Sequence, residues 1–190
     1  MKRIALTLLV FALGSSAALA HPDHGAESFA AGVAHPLGGL DHIAVMISVG
    51  LWAALKGGRA LWLWPATFVC VMLVGGALGM AHVPLPFVES GILASVIALG
   101  LLVALAVDLP VWLGAVVIAV FAVFHGHAHG SEIAENIGGL EYMAGFAIAT
   151  AMLHLVGIGF AQMMTRARLR PAIRVGGALC LAFGLAGVLT

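Results

Sequence analysis

Charged side chains are scarce in this sequence, because Asp, Glu, Lys and Arg together make up 8% of its 190 residues. A soluble domain carries about 25% charged residues, so this scarcity excludes a water-soluble fold. The formal net charge is zero, which argues against nucleic acid as a partner. Two cysteines are present, Cys70 and Cys180, each in the middle of an apolar run. They are either small buried side chains or a disulfide between two membrane spans.

Apolar residues make up 63% of the chain and form runs of about 20 residues, the length that crosses a bilayer as a helix. The sequence lacks the short alternating segments of a membrane β-barrel. It therefore predicts an all-α, polytopic membrane protein with a bundle of six transmembrane helices. The fourth span runs to residue 124 or slightly beyond, and the six predicted spans are 27–55, 61–81, 87–107, 110–124, 139–164 and 172–189. Pro36 and Gly38-Gly39 are expected to bend or break the first span.

The N-terminal residues 1–20 have the pattern of a cleavable signal peptide. Lys2 and Arg3 form the charged region, a short apolar core follows, and Ala18-Leu19-Ala20 is an Ala-x-Ala cleavage site. Residues 21–190 then form a single transmembrane transport domain that begins at His21. The alternative is an uncleaved first span.

The distribution of basic residues predicts the orientation, because Lys and Arg concentrate in cytoplasmic loops. With the signal removed, the first span starts outside, and the loops after spans 1, 3 and 5 face the cytoplasm. Six basic residues lie in or beside two of these loops: Lys56, Arg59, Arg166, Arg168, Arg170 and Arg174. The protein is therefore expected in the bacterial inner (cytoplasmic) membrane, with both mature termini in the periplasm. Four tryptophans near the inner span ends predict an interfacial belt: Trp52, Trp62, Trp64 and Trp112.

Small residues at helical spacing predict close contacts between spans. The second span carries Gly75-x-x-x-Gly79, and the sixth carries an alanine ridge at Ala178, Ala182 and Ala186.

Histidine is abundant, with nine residues against one tyrosine, and most histidines map to the outer side. Ionisable groups in a membrane are costly unless they are paired, line water or bind something. No Lys or Arg is predicted on the outer side to neutralise Asp41, Glu132 and Glu141, so a divalent cation is the natural counter-charge. Imidazole suits zinc, copper, iron and nickel, and carboxylates add harder ligands. The absence of a well-placed thiolate argues against copper(I) and against a structural zinc site.

Spacing groups some of these residues into one site. His35 and His42 lie seven residues apart, and His125 and His129 share a helical face from which His127 points away. The predicted metal ligands are His35, Asp41, His42, His125, His129 and Glu132. A capture or relay role is open for a second set, which consists of His21, His24, His82, His127, Glu141 and His154. For these the alternatives are solvation of His82, a hydrogen bond from His154 to a carbonyl, and an incidental polar stretch at His21 and His24.

Three stretches resemble the HupE/UreJ family of nickel permeases. The segment from His35 to His42, His-Pro-Leu-Gly-Gly-Leu-Asp-His, resembles the family's His-Pro-x-x-Gly-x-Asp-His signature. The segment from Phe124 to Glu132 resembles its second motif, which ends in Ala-His-Gly-x-Glu. The family also has a third conserved stretch, and this chain resembles it at Tyr142, Gly145-Phe146, Thr150 and His154. The resemblance covers the whole chain and implies passage of nickel, or cobalt, for the maturation of hydrogenase or urease.

We therefore expect a permease that moves nickel or cobalt from periplasm to cytoplasm, with the ion as cargo and no tightly bound cofactor. The expected partners are the lipid bilayer, the divalent ion and hydrogenase or urease maturation proteins. The chain lacks a Walker-type phosphate loop and the His-Glu-x-x-His motif, so neither an ATPase nor a metalloenzyme is expected. The alternatives are an intramembrane metalloenzyme and a membrane sensor or assembly scaffold that binds nickel without moving it.

Overall fold

A computed structural model describes the backbone of residues 24–133 and 138–189, and the side chains of these ranges from residue 28 onward. The predicted signal peptide, His21 and the side chain of His24 lie outside the described residues. Within the described ranges the chain is helical, with short connections and no strand. The helices are α1 His24–Gly38, α2 Leu40–Lys56, α3 Ala60–Met80, α4 Val88–Ala104, α5 Val111–Glu132, α6 Gly139–Arg166 and α7 Arg170–Gly187.

Three of these helices, α3, α5 and α6, are each long and apolar enough to cross a membrane. Helices α1 and α2 pass the same test together as a bent pair, which raises the number of spans by length and composition to four. Helix α4 is apolar but shorter. The all-helical membrane class is therefore confirmed, and the count of six spans stays a prediction.

The predicted break in the first span is confirmed at Gly39, where α1 and α2 meet at 83°. Gly39 has an extended backbone, with φ −106° and ψ 122°, so it ends one helix and begins the next. Pro36 lies inside the last turn of α1. The bend places Asp41 and His42 in the first turn of α2, close to the end of α1 that carries His35.

Helix α2 is central, because it contacts α1, α3, α4, α6 and α7. The most extensive pairings are α3 with α5, α4 with α7, and α6 with both α1 and α2. Large side chains that are fully buried fill the space around α2, and they include Trp52, Trp64, Phe68, Met72 and Phe146.

Glycines let α3 and α5 approach backbone to backbone. A Cβ atom on Gly126 would overlap the carbonyl oxygen of Met72, and one on Gly130 would overlap that of Gly76. Gly75 and Gly79 also pack against α5, so the predicted contact ridge in this helix is confirmed. This close approach fixes the histidine-bearing turns of α5 against α3.

The predicted alanine ridge of α7 is wrong. Ala178, Ala182 and Ala186 are exposed, and the buried face of α7 is instead formed by Ile173, Gly177, Cys180 and Gly184. The physical reason is the tight contact with α4, in which a Cβ atom on Gly177 would meet the Val103 side chain. Both cysteines are free thiols, with Cys180 buried and Cys70 exposed.

One end of the bundle, which we call the basic end, contains Lys56, Asp108 and Arg174. Lys56 Nζ lies 2.5 Å from Asp108 Oδ1, and Arg174 Nε donates to the Ala104 carbonyl over 2.8 Å. These contacts join the end of α2, the α4–α5 connection and the start of α7. The positive charges in that region therefore face the same end of the molecule, as the predicted orientation requires.

The predicted tryptophan belt is wrong for two of its four residues and stays a prediction for the other two. Trp62 and Trp112 are exposed, whereas Trp52 and Trp64 are fully buried with ring centroids 4.3 Å apart. Each buried indole donates over 2.8 Å to a carbonyl near the start of α5, Trp52 to Val107 and Trp64 to Val111. Burial is tolerated because each Nε1–H has an acceptor.

Candidate metal centre

Three chain segments converge at the opposite end, which we call the histidine end. They are the last turn of α1, the first turn of α2 and the last two turns of α5. The bend at Gly39 brings the first two together, and the glycine contact with α3 sets the position of the third. The side chains that meet there are His35, Asp41, His42, His125, His129 and Glu132.

A buried group is formed by His42, His125 and His129. One ligand-type atom from each lies within 4.8 Å of the others, and the exposed fractions are 8%, 0% and 2% respectively. The His42 ring centroid lies 4.5 Å from that of His129 and 5.2 Å from that of His125. Nε2 of His42 is in direct contact with Nε2 of His129.

A more exposed group is formed by His35, His129 and Glu132, again with ligand-type atoms within 4.8 Å of one another. Glu132 Oε2 lies 3.8 Å from His35 Nε2 and 3.6 Å from His129 Nδ1. His35 and Glu132 are exposed, whereas His129 is buried. His129 therefore belongs to both groups and connects the surface group with the buried one.

Asp41 lies behind His42 rather than in either group. Its Oδ1 accepts from the backbone N–H of His42 over 2.9 Å and lies 2.8 Å from His42 Nδ1. A carboxylate in this position holds the proton on Nδ1 and leaves Nε2 as a lone pair for a metal. The sequence predicted Asp41 as a direct ligand; the geometry places it as the residue that orients His42.

Ser95 of α4 has the same relationship to His125. Its hydroxyl donates to the Ile92 carbonyl over 2.6 Å, and its oxygen lies 2.8 Å from His125 Nε2. Because the hydroxyl proton is already donated, the serine oxygen accepts from Nε2–H, and Nδ1 of His125 keeps its lone pair. Ser95 was not among the predicted residues, although a serine within the apolar run of α4 is a signal that could have identified it.

Aromatic side chains of α6 complete the wall of the site. The Phe146 ring lies 4.4 Å from that of His129, and the Tyr142 ring lies 5.9 Å from that of His35. Beside them, an open cavity of about 490 Å³ reaches His35 of the exposed group and His42 of the buried group. It is lined by Ala31, Ala34, His35, Gly38, Gly39, Asp41, His42 and Tyr142. The cavity gives a hydrated ion access from the histidine end.

The other predicted residues lie outside both groups. His127 points away from the cluster, as predicted, and its Nε2 lies 2.7 Å from the Val83 carbonyl oxygen. His82 is exposed in the turn after α3, and Glu141 is exposed in the first turn of α6. His154 is fully buried farther along α6, towards the basic end.

The chemistry of the site suits a divalent transition metal. Four imidazoles and two carboxylates converge, and neutral imidazole is a common ligand of zinc, copper and nickel. No lysine or arginine is among the residues that line the cavity at this end. Because the neighbouring acidic groups lack a basic partner there, a bound cation would neutralise them.

Comparisons with known proteins identify the family of the chain. A sequence model of the family described as "HupE / UreJ protein" matches residues 8–187. "Protein HupE" of Rhizobium leguminosarum bv. viciae is 44% identical over 181 residues, which cover 95% of this chain and 94% of that protein. No solved structure matches the chain. A match over nearly the whole length, together with the similarity to the Rhizobium protein, shows that the chain belongs to the HupE/UreJ family.

Proposed function

We propose that this protein is a permease that carries nickel, or cobalt, from the periplasm to the cytoplasm for the maturation of metalloenzymes such as hydrogenase or urease. Membership of the HupE/UreJ family supports a role related to nickel or cobalt transport. The observation that carries the proposal is the sharing of His129 between the exposed and the buried group. The ring of His129 connects the two groups, because its Nδ1 faces Glu132 and its Nε2 faces His42, so an ion can pass from one nitrogen of the ring to the other.

The first step is capture and loss of water. His35 lines the open cavity and Glu132 is exposed beside it, so both can replace water molecules of the hydrated ion one at a time. His21, on the predicted periplasmic tail, and His24, at the start of α1, raise the local metal concentration. The ion then moves to His42 and His125 as Glu132 and His35 release it, and His129 offers Nδ1 on the exposed side and Nε2 on the buried side.

The ligand set also allows release. A conducting site must bind strongly enough to dehydrate the ion and weakly enough to let it go. Imidazole meets this need because protons compete with the metal for its lone pair. The chain has no nucleotide-binding loop, so transport is facilitated or driven by a secondary gradient.

The proposed arrangement in the membrane has six spans after a cleaved signal peptide, with both mature termini in the periplasm. The cavity and the exposed group lie at the histidine end, and Lys56, Arg174 and the tethered tryptophans lie at the basic end. The positive-inside rule assigns the basic end to the cytoplasm. The histidine end then faces the compartment from which metal arrives.

Uptake of radioactive nickel tests the proposal. Cells that lack their own nickel importers would be compared with and without this chain, at equal growth and with membrane protein quantified by immunodetection. Saturable accumulation that depends on the chain is expected, and excess cobalt should compete. Nickel that binds to isolated membranes without accumulating in cells would instead indicate a sensor or an assembly scaffold.

A further inference from the structure

His154 is an anomaly within the apolar interior. It is fully buried, and neither of its ring nitrogens has a hydrogen-bond partner among the described residues. Buried polar groups are almost always paired, and an unpaired one calls for an explanation. The alternative to a relay role, a hydrogen bond from His154 to a neighbouring carbonyl, is therefore absent from the described structure. The ring of His154 is therefore free to bind an ion transiently.

Further atoms that could bind a metal ion lie one helical turn from His154. Thr150 is on the same face of α6, and its fully buried hydroxyl donates to Met72 Sδ of α3 over 3.7 Å. Imidazole, hydroxyl and thioether together form a weak mixed set for a transition metal. No carboxylate is among the residues that line the adjoining cavity of about 420 Å³, so the set lacks the charge that would hold a divalent ion tightly.

Phe68 separates this set from the histidine cluster. Its fully buried ring lies 5.7 Å from the His125 ring on one side and 5.2 Å from the His154 ring on the other. No other aromatic ring is in contact with both histidines in the described structure. An ion that leaves the buried group towards the basic end therefore meets the Phe68 ring before it meets His154.

A second aromatic layer lies one turn farther along α3. Trp64 packs against Trp52 with the two rings tilted by 38°. Hydrogen bonds to the carbonyls of Val107 and Val111 hold the indoles of Trp52 and Trp64, respectively. The order from the histidine end to the basic end is then ligand cluster, Phe68, His154 and the tryptophan pair. Ligands alternate with apolar rings along the bundle.

We propose that His154, with Thr150 and Met72, is a second and weaker station for the transported ion, and that Phe68 is the partition between the two stations. This inference builds on the proposed transport function. A partition with a ligand on each side allows an ion to advance without an open pore, since the ring needs to move only once for each passage. The weaker inner set favours onward release.

The first test uses His154→Leu in purified protein reconstituted into vesicles with an entrapped nickel-sensitive dye. Replacing an unpartnered buried histidine by an apolar residue of similar size does not harm the fold, so the thermal midpoint should be unchanged or higher. Nickel affinity measured at the outer cluster should change less than about twofold, because His154 is not one of its ligands. The initial rate of uptake should fall by about tenfold or more, the effect expected when one ligand on a conduction path is lost. An unchanged rate would overturn the inference.

A second measurement does not depend on transport. His154→Cys, in a background with Cys70 and Cys180 replaced by serine, should show a cobalt–thiolate charge-transfer band when cobalt is added, because thiolate is a strong ligand for such ions. Leu153→Cys is the matched control, since it is the preceding residue on another face of α6 and should show no band. Absence of the band in His154→Cys would mean that no ion reaches this position, whether or not the wild-type protein transports nickel.

The role of Phe68 as a partition is tested with an ion that it should exclude. Phe68→Ala should raise magnesium entry into the vesicles by about fivefold or more, because a hydrophobic constriction blocks poorly liganded ions. Phe68→Leu, which keeps an apolar side chain in the gap, should stay near the wild-type value. Equal magnesium entry in all three proteins would refute the partition, and failure of nickel uptake by the wild type would count against the proposed function alone.

Discussion

The Nε2 atoms of His42 and His129 face each other in direct contact, although the residues are 87 positions apart in the sequence. Asp41 holds the proton of His42 on Nδ1, so the Nε2 of His42 presents a lone pair. Nε2 of His129 can carry a proton and donate it to His42, and a metal ion bound by both rings would have to displace that proton. The two nitrogens therefore converge on one position that either a proton or a metal ion can occupy.

The first prediction concerns the two facing histidines. His42→Ala and His129→Ala should each abolish nickel uptake, because each removes an imidazole that no neighbouring residue can replace. His127→Ala is the matched control on the same turn as His129: it loses a contact with the Val83 carbonyl, costs about 1 kcal/mol of stability and should keep most of the uptake. The measurement is uptake per unit of immunodetected membrane protein. Equal loss in His127→Ala and His129→Ala would show that disturbance of α5, rather than loss of a ligand, stops transport.

The second prediction separates the orienting role of Asp41 from direct ligation. Asp41→Asn keeps an oxygen that can accept from His42 Nδ1–H but loses the charge that makes the imidazole more basic, and second-shell changes of this kind cost about 10–100-fold in metal affinity. Asp41→Ala removes the acceptor as well and should abolish uptake. Isothermal titration calorimetry with nickel measures whether the affinity falls in the order wild type, Asp41→Asn, Asp41→Ala. Equal affinity in Asp41→Asn and the wild type would show that the negative charge is dispensable.

The third prediction concerns Ser95, which the geometry makes a positioning residue for His125. Ser95→Ala removes the acceptor for Nε2–H, so the ring can rotate or change tautomer, and nickel affinity should fall by about tenfold or more. Ser95→Thr keeps the hydroxyl and should restore most of the affinity. If serine were needed only for packing, alanine would leave the affinity unchanged while the thermal midpoint shifted.

The fourth prediction is that nickel stabilises the fold in a pH-dependent manner. A ligand that binds only the folded state adds about 2.7 kcal/mol at a hundredfold excess over its dissociation constant, so nickel should raise the thermal midpoint of the wild type. Protons and metal compete for the imidazole lone pairs, and the nickel-induced shift should therefore become smaller as the pH is lowered. His129→Leu should show no nickel shift at any pH. A shift that persists at low pH would point to ligation by carboxylates alone.

The fifth prediction concerns the chain termini. N-terminal sequencing of the membrane-inserted protein should begin at His21, since Ala18-Leu19-Ala20 forms the cleavage site. A reporter fused after Thr190 should be active when the reporter works in the periplasm. Activity of a reporter that works only in the cytoplasm would contradict the six-span arrangement, and a sequence that begins at Met1 would contradict cleavage.

Much of this organisation could be predicted from the sequence, because in a membrane protein the costs of burying charge and free backbone groups are large. The helical class and the break between Gly38 and Leu40 follow from apolar run length and from Pro and Gly chemistry. The sequence also predicts that the His35–His42 segment lies near His125 and His129, because polar side chains in an apolar chain are stable only where they contact one another, water or a ligand.

Features that depend on helix rotation could not be predicted in this way. The face of α7 that packs inward is set by the depth of its contact with α4, so glycine rather than alanine forms it. Trp52 and Trp64 were assigned to the interface because tryptophan favours it, but acceptors at Val107 and Val111 make burial equally acceptable. The position of Asp41 behind His42 depends on a side-chain rotamer, about which spacing carries no information.

The glycine contact between α3 and α5 has a mechanical consequence. Where two backbones touch directly, as at Gly76 and Gly130, no side chain remains that could rearrange to let the helices slide. The two helices therefore form one rigid unit that carries His125, His129 and Phe68. His42 lies on α2, whose backbone meets α6 in the same way, because a Cβ atom on Gly50 would overlap the carbonyl oxygen of His154. The histidines of the buried group therefore belong to two separately braced helix pairs. A shift of one pair against the other would move His42 relative to His125 and His129, and the ion affinity of the group would change with the position of that one imidazole.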